Sequence, residues 1–124
     1  MAAYAVYAST AMPYNATVFE FIEAPGFTRI VESYLDDDEY ARLQNYLNEH
    51  PEAGVIVPGS GGVRKLRWSA EGRGKRSGLR VIYYLILSRG QIWMLTIYGK
   101  SALENIPGHL LKRMKEAIEH AEDD

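Results

Sequence analysis

The sequence contains no cysteine, which removes disulfides, thiol nucleophiles and cysteine-bound zinc together and fits a reducing cytoplasm. No stretch approaches the roughly twenty apolar residues that span a bilayer, so neither a transmembrane helix nor a membrane partner is expected. Histidine is scarce. His50, His109 and His120 fall on predicted helices or their ends, which argues against a catalytic histidine pair. A large excess of either charge is missing too: the formal net charge is −2 over 124 residues. A protein that coats nucleic acid along its whole surface is normally basic, so that class is disfavoured.

The charge is segregated instead. Acids gather in Asp36 to Glu39 and in the last six residues, while the stretch from Val63 to Arg80 holds seven of the fourteen basic residues around one acid, Glu71. A compact domain that concentrates like charge stores repulsion there, and an anionic partner relieves it. The length is that of one domain with a real core. Residues 1–16 carry no charge and no sustained period. They make a poor secretory signal and read as a disordered extension preceding a single domain over 17–124.

Thr17 to Glu23 alternates as a strand and Pro25-Gly26 ends it. Phe27, Ile30, Val31, Tyr34 and Leu35 recur at helical spacing, and a second helix opens at Asp36 with Glu39 three residues on, a capping box. That arrangement explains the acidic run without a metal ion, since acids are stabilised at a helix N-terminus. Pro51 to Gly62 is a glycine-rich connector; it lacks the Gly-Lys-Ser/Thr ending of a phosphate-binding loop, and a strand follows where a helix would be required. Strands are expected at Val63 to Ser69, Leu79 to Leu87 and Gln91 to Tyr98, the last two joined by a short turn at Ser88-Arg89-Gly90. Both are apolar on nearly both faces, so they belong centrally, and part of one face is left for a partner to cover. Ser101 and Glu104 form a second possible capping box, and a final helix runs from about Pro107. The class is α+β, a mainly antiparallel sheet of about four strands with two N-terminal helices and one C-terminal helix packed on it.

Alternation along Val63 to Trp68 sends Leu66 and Trp68 toward the core with Arg64, and turns Lys65 and Arg67 the other way together. They stand about 7 Å apart, a spacing suited to neighbouring phosphates. Arg80 shares a face with Ile82 and Tyr84 on the next strand, and Tyr98 closes the third strand ahead of Gly99-Lys100. Between the first two strands lies a basic loop with Arg73, Lys75 and Arg76. Convergence of cations from two strands and a loop on one tyrosine and lysine is more specific than a basic hairpin solvated at its tip. RNA is the anionic partner this pattern favours.

GVRKLRWSAEGRGKRSGLRVIYYLI followed by WMLTIYGKSALENI resembles the RelE/ParE superfamily of toxins from bacterial toxin–antitoxin pairs, the HigB type in particular, from about Thr17 onward. The resemblance implies a RelE-like fold and a cytoplasmic endoribonuclease that cleaves messenger RNA, often on the ribosome. It implies a cognate antitoxin with a helix-turn-helix domain (HigA-like), and operator DNA reached only through that antitoxin. No cofactor or metal is implied. Cleavage by attack of the RNA's own 2′-hydroxyl needs a base, an acid and cations around the phosphorane. Arg67, Arg73 and Arg80 suit charge stabilisation because their forks match phosphate oxygens. Lys65 matches the catalytic lysine position, and crowding by cations helps it shed a proton; Lys75 is a second candidate. Tyr98 and Lys100 supply the acid or hold a base, and Arg64, Lys75 and Arg76 bind RNA. The family's tyrosine beyond the last strand has no counterpart after Tyr98. Two other readings remain open here: a ParE-like poison of DNA gyrase, which would not need so dense a cation set, and an RNA-binding module without catalysis.

Overall fold

A computed structural model of the chain describes residues 3–5, 18–69, 78–99 and 106–123. In chain order these form β1 (Ala3–Ala5), β2 (Glu20–Glu23), α1 (Pro25–Tyr34), α2 (Asp37–Glu49), β3 (Val55–Ile56), β4 (Arg64–Trp68), β5 (Leu79–Ile86), β6 (Gln91–Gly99) and α3 (Gly108–Asp123). The class is α+β, as the sequence predicts, but the sheet is larger and mixed. Six strands lie in the order β1-β2-β6-β5-β4-β3. β2 runs parallel to β6 while the other neighbours are antiparallel. The two additional strands come from segments without a strand signal: Ala3–Ala5 in the expected extension pairs with β2, and Val55–Ile56 in the connector pairs with β4.

Local chemistry sets the two early helices. Pro25 occupies the first turn of α1, where its missing N–H costs nothing. At α2 the capping box is complete: the Asp36 carboxylate accepts from the Glu39 backbone N–H at 2.8 Å, and Glu39 accepts from the Asp36 N–H at 3.0 Å. Both helices pack on one face of the sheet, where Phe27, Val31, Leu43 and Leu47 meet Phe21, Val81 and Met94. The opposite face buries Ile82, Trp93, Leu95 and Tyr98 against Leu111 and Ile118 of α3. The chain's own last helix therefore covers the face that the sequence leaves for a partner. An amphipathic stripe reveals that a helix is half-buried, not which surface it covers.

Glu23, at the end of β2, is 1% exposed, which an ionisable side chain tolerates only when its oxygens are satisfied. Thr28 of α1 and Tyr40 of α2 each donate a hydroxyl to it at 2.7 Å. One carboxylate thus ties a strand to two helices. Tyr40→Phe removes one donor and is expected to lower stability by about 2 kcal/mol, measured by urea unfolding; a change near zero would mean that Glu23 gains nothing from Tyr40.

A tight loop seats α3. The buried Ser60 hydroxyl donates to the Val57 carbonyl at 2.6 Å and accepts from the Val63 N–H at 3.0 Å. Gly59, Gly61 and Gly62 have φ of 77°, 76° and 110°, a region that disfavours other residues. Further along α3, Tyr84 donates to Glu119 at 2.8 Å, Lys115 reaches the same carboxylate at 3.2 Å, and its ammonium lies 5.1 Å from the centre of the Tyr84 ring. The Tyr84 hydrogen bond, helped by Lys115, holds Glu119 below the usual carboxylate range despite some burial. Burial and the Glu119 hydrogen bond push Tyr84 up. Burial alone would lower Lys115, but its bond to Glu119 and the adjacent Tyr84 outweigh it and the net shift is upward.

These directions fix the pH dependence. A depressed acid stabilises the fold above its unfolded value and loses that contribution as pH falls through its folded one; the raised Lys115 and Tyr84 lose theirs only as pH rises past about 10. Urea midpoints measured from pH 7 to pH 3 should decline below about pH 4, and Glu119→Gln should flatten part of that decline. The change is modest because the Glu119 side chain is 40% exposed and water screens it. An identical acid limb in both proteins would remove Glu119 from the account. Among the described residues no helix is long and apolar enough to cross a membrane.

Candidate nucleic-acid interface

The register of the three central strands builds the site. Arg67 of β4 lies opposite Arg80 of β5, and Arg80 lies opposite Tyr98 of β6. Residues directly opposite in antiparallel strands share a face, with side chains about 5 Å apart at their base. One row therefore reads Arg67, Arg80, Tyr98. In the adjacent row Lys65 lies opposite Ile82, which lies opposite Thr96. Ile82 and Tyr98 belong to the cluster under α3, so Lys65, Arg67, Arg80 and Tyr98 all stand on the α3 side of the sheet.

Tyr98 reaches that side through an irregularity. Tyr83 pairs with Met94 while its neighbour Ile82 pairs with Thr96, so β6 carries one extra residue, Leu95. Strict alternation from Trp93, on the α3 side, would turn residue 98 toward α1 and α2. The bulge restores it to the face of the cations, a re-aiming that bulges produce. Nothing in the local run Met94-Leu95-Thr96 signals it, and the sequence reading misses it.

Exposure grades along the row. Arg67 is exposed at the rim, Arg80 and Lys65 are half-buried, and Tyr98 is 3% exposed. The Tyr98 hydroxyl is shielded from solvent and has no hydrogen-bond partner among the described residues. Burial pushes it above the ordinary tyrosine value, with the Arg80 charge pulling the other way, so it stays protonated across the neutral range. Beside it is a hollow of about 170 Å³, lined by Val57, Pro58, Lys65, Ile82, Tyr98, Ile106 and Leu111. Among the described residues its walls are apolar except for Lys65 and Tyr98. Of these, Val57, Pro58, Ile106 and Leu111 were not legible as site residues, because they come from a connector and from the start of a helix whose docking face the sequence leaves open.

Arg64 lies apart from this group. It is paired with Tyr83 on the α1–α2 side, and its guanidinium donates to the carbonyls of Gly54 at 2.8 Å and Glu52 at 3.2 Å, with the Glu52 carboxylate at 3.9 Å. It braces the turn after α2, where Tyr83 also accepts from the Gly54 N–H and donates to the Pro51 carbonyl. Arg73, Lys75, Arg76 and Lys100, and the expected capping box at Ser101 and Glu104, lie outside the described residues. His50 ends α2 with its ring 4.9 Å from that of Tyr46; His109 and His120 are exposed on α3. A wider hollow of about 530 Å³ lies at the end of α2, lined by Tyr46, Glu49, His50, Pro51, Glu52 and Ala53. It is shallow, carries two acids and faces away from the cation row.

Chemically, the α3 side offers two guanidinium forks and a lysine within one to two strand spacings, roughly 5 to 10 Å, beside an apolar recess. Forks of this kind bind phosphate oxygens in pairs. No protein-family model matches this sequence.

Proposed function

We propose that the chain is the toxin of a toxin–antitoxin pair, a HigB/RelE-type endoribonuclease that cuts messenger RNA, its site a phosphate grip with a proton-transfer group beside it. The observation that carries this reading is the shared row of Arg67, Arg80 and Tyr98 with Lys65 one pair along. In the proposed reaction the 2′-oxygen bonds to phosphorus and the bond from phosphorus to the 5′-oxygen breaks, leaving a 2′,3′-cyclic phosphate and a 5′-hydroxyl. Lys65 is the group assigned to take the 2′-proton. Arg67 and Arg80 hold the phosphate oxygens as negative charge builds on them, which is worth most where donors are already fixed in place. The leaving oxygen takes its proton from Lys100 or from water. Arg73 is assigned to the same charge stabilisation, and Lys75 and Arg76 to binding RNA. The ribosome presents the message, and a helix-turn-helix antitoxin neutralises the protein in the cytoplasm and carries it to operator DNA.

Induced expression should arrest growth within one generation, and mapping of RNA ends should reveal new 5′-hydroxyl termini within translated messages. Growth arrest with intact messages and gyrase-linked DNA breaks would instead select the ParE-like activity and sink this one.

A further inference from the structure

We propose that the outer face of α3, over its first two turns, is a second binding surface for the phosphate backbone of RNA, carrying the strand on beyond the cation row. This rests on the RNA-cleaving reading and gives that site a longer footprint. The first observation is the order of charges along the helix. The half from Gly108 to Lys115 holds Lys112, Arg113 and Lys115 and no acid, while Glu116, Glu119, Glu122 and Asp123 all fall in the half that follows. A helix dipole favours the reverse, acids at the start and cations at the end, as α2 shows with Asp37, Asp38 and Glu39 in its first turn. The fold gains nothing from the order in α3; an anion laid across its first half does. The second observation is what the cations are doing. Lys115 is spent on Glu119 and Tyr84. Lys112 and Arg113 are exposed, and neither has an ion pair or a side-chain hydrogen bond among the described residues.

The third is position. α3 begins beside the row, since Ile106 and Leu111 line the same hollow as Lys65 and Tyr98. Leu111 is buried there, and at about 100° per residue Arg113 points nearly the opposite way, outward. The Lys112 stem lies beside Gly61 of the connector. From Gly108 to Arg113 the helix advances about 8 Å, so the basic face starts close to where the row ends, on the same side of the sheet. Charge also identifies the partner. A protein interface centres on apolar or aromatic anchors, and of the large apolar side chains of α3 Leu110 alone is exposed, at 40%. A phosphate backbone asks for cations alone. Lys112 and Arg113 are thus assigned to holding the RNA strand outside the cut.

Salt-dependent binding of the full chain to fluorescent single strands tests this without any cleavage step. The strands are fully 2′-O-methylated, so they lack the attacking hydroxyl, and are of two lengths, about four and about sixteen nucleotides, the span covered by compact single-strand sites. Each phosphate contact on a single strand contributes about 0.7 to the slope of log affinity against log salt. The double variant Lys112→Gln with Arg113→Gln should therefore lower the slope for the long strand by about 1.4 and leave the short strand unchanged. Arg67→Ala should weaken both lengths. The double variant should also keep or raise the thermal midpoint, because it removes cations from the positive end of a helix. An unchanged slope for the long strand overturns the surface, even if the protein cuts RNA. Equal losses on both lengths overturn it too, since the two residues then act at the grip; so does a fall in the thermal midpoint, which would give them to the fold. A slope that drops as expected in a protein that cuts no message upholds the surface and sinks the nuclease reading instead.

Discussion

Arg80→Ala is expected to reduce messenger RNA cleavage by about 10²–10³-fold, the range seen when one fixed donor to a developing oxyanion is removed. Arg80 holds the middle of the row, between Arg67 and Tyr98, and its half-buried position keeps its charge less screened than that of the exposed Arg67. Loss of the fork should matter more than loss of charge alone, so Arg80→Lys should recover only part of the rate. The side chain lies at the edge of the α3 side, so the fold should survive, with far-ultraviolet circular dichroism and the thermal midpoint close to wild type. The rate is read from cleavage of a reporter message in a translation extract. An Arg80→Ala protein that cuts at the wild-type rate would remove the row from catalysis.

The second large effect concerns how α3 is seated. A β-carbon on Gly108 would meet the Pro58 carbonyl oxygen at 2.1 Å and the Gly59 carbonyl carbon at 3.1 Å. Both are backbone atoms, so no rotation of a side chain relieves the clash, and the helix or the loop has to move. Gly108→Val should cost about 3 kcal/mol, at the upper end of overpacking effects, and lower the midpoint of thermal unfolding by about 10 °C for a domain of this size. Gly108→Ala should cost nearly as much, because the first carbon makes the collision. That is a sharp test, since alanine is the better helix former by about 1 kcal/mol. An alanine variant as stable as wild type would show that α3 does not rest on Pro58.

What the sequence made legible was local. The capping box at Asp36 and Glu39, the apolar stripes of α1 and α2, and the alternation that puts Lys65 and Arg67 together depend on residues a few positions apart, and each is present in the structure. What it hid was nonlocal. The parallel pairing of β2 with β6 joins Phe21 to Ile92, and no period within either segment records it. The same holds for the bulge at Leu95, without which Tyr98 would face the wrong way, and for the side of the sheet that α3 covers. Composition misleads at Arg64, which counts toward the basic stretch but spends its guanidinium on the carbonyls of Glu52 and Gly54.

The β2–β6 pairing also bears on when the molecule can form. Phe19 and Phe21 find much of their cover on Ile92 and Met94, some seventy residues later, and closing so long a loop is entropically slow. A nascent chain that has not yet made Gln91 has no inner neighbour for β2, and Arg80 has no Tyr98 across from it. The cutting site proposed for this protein therefore cannot assemble before β6 has left the ribosome that is making it.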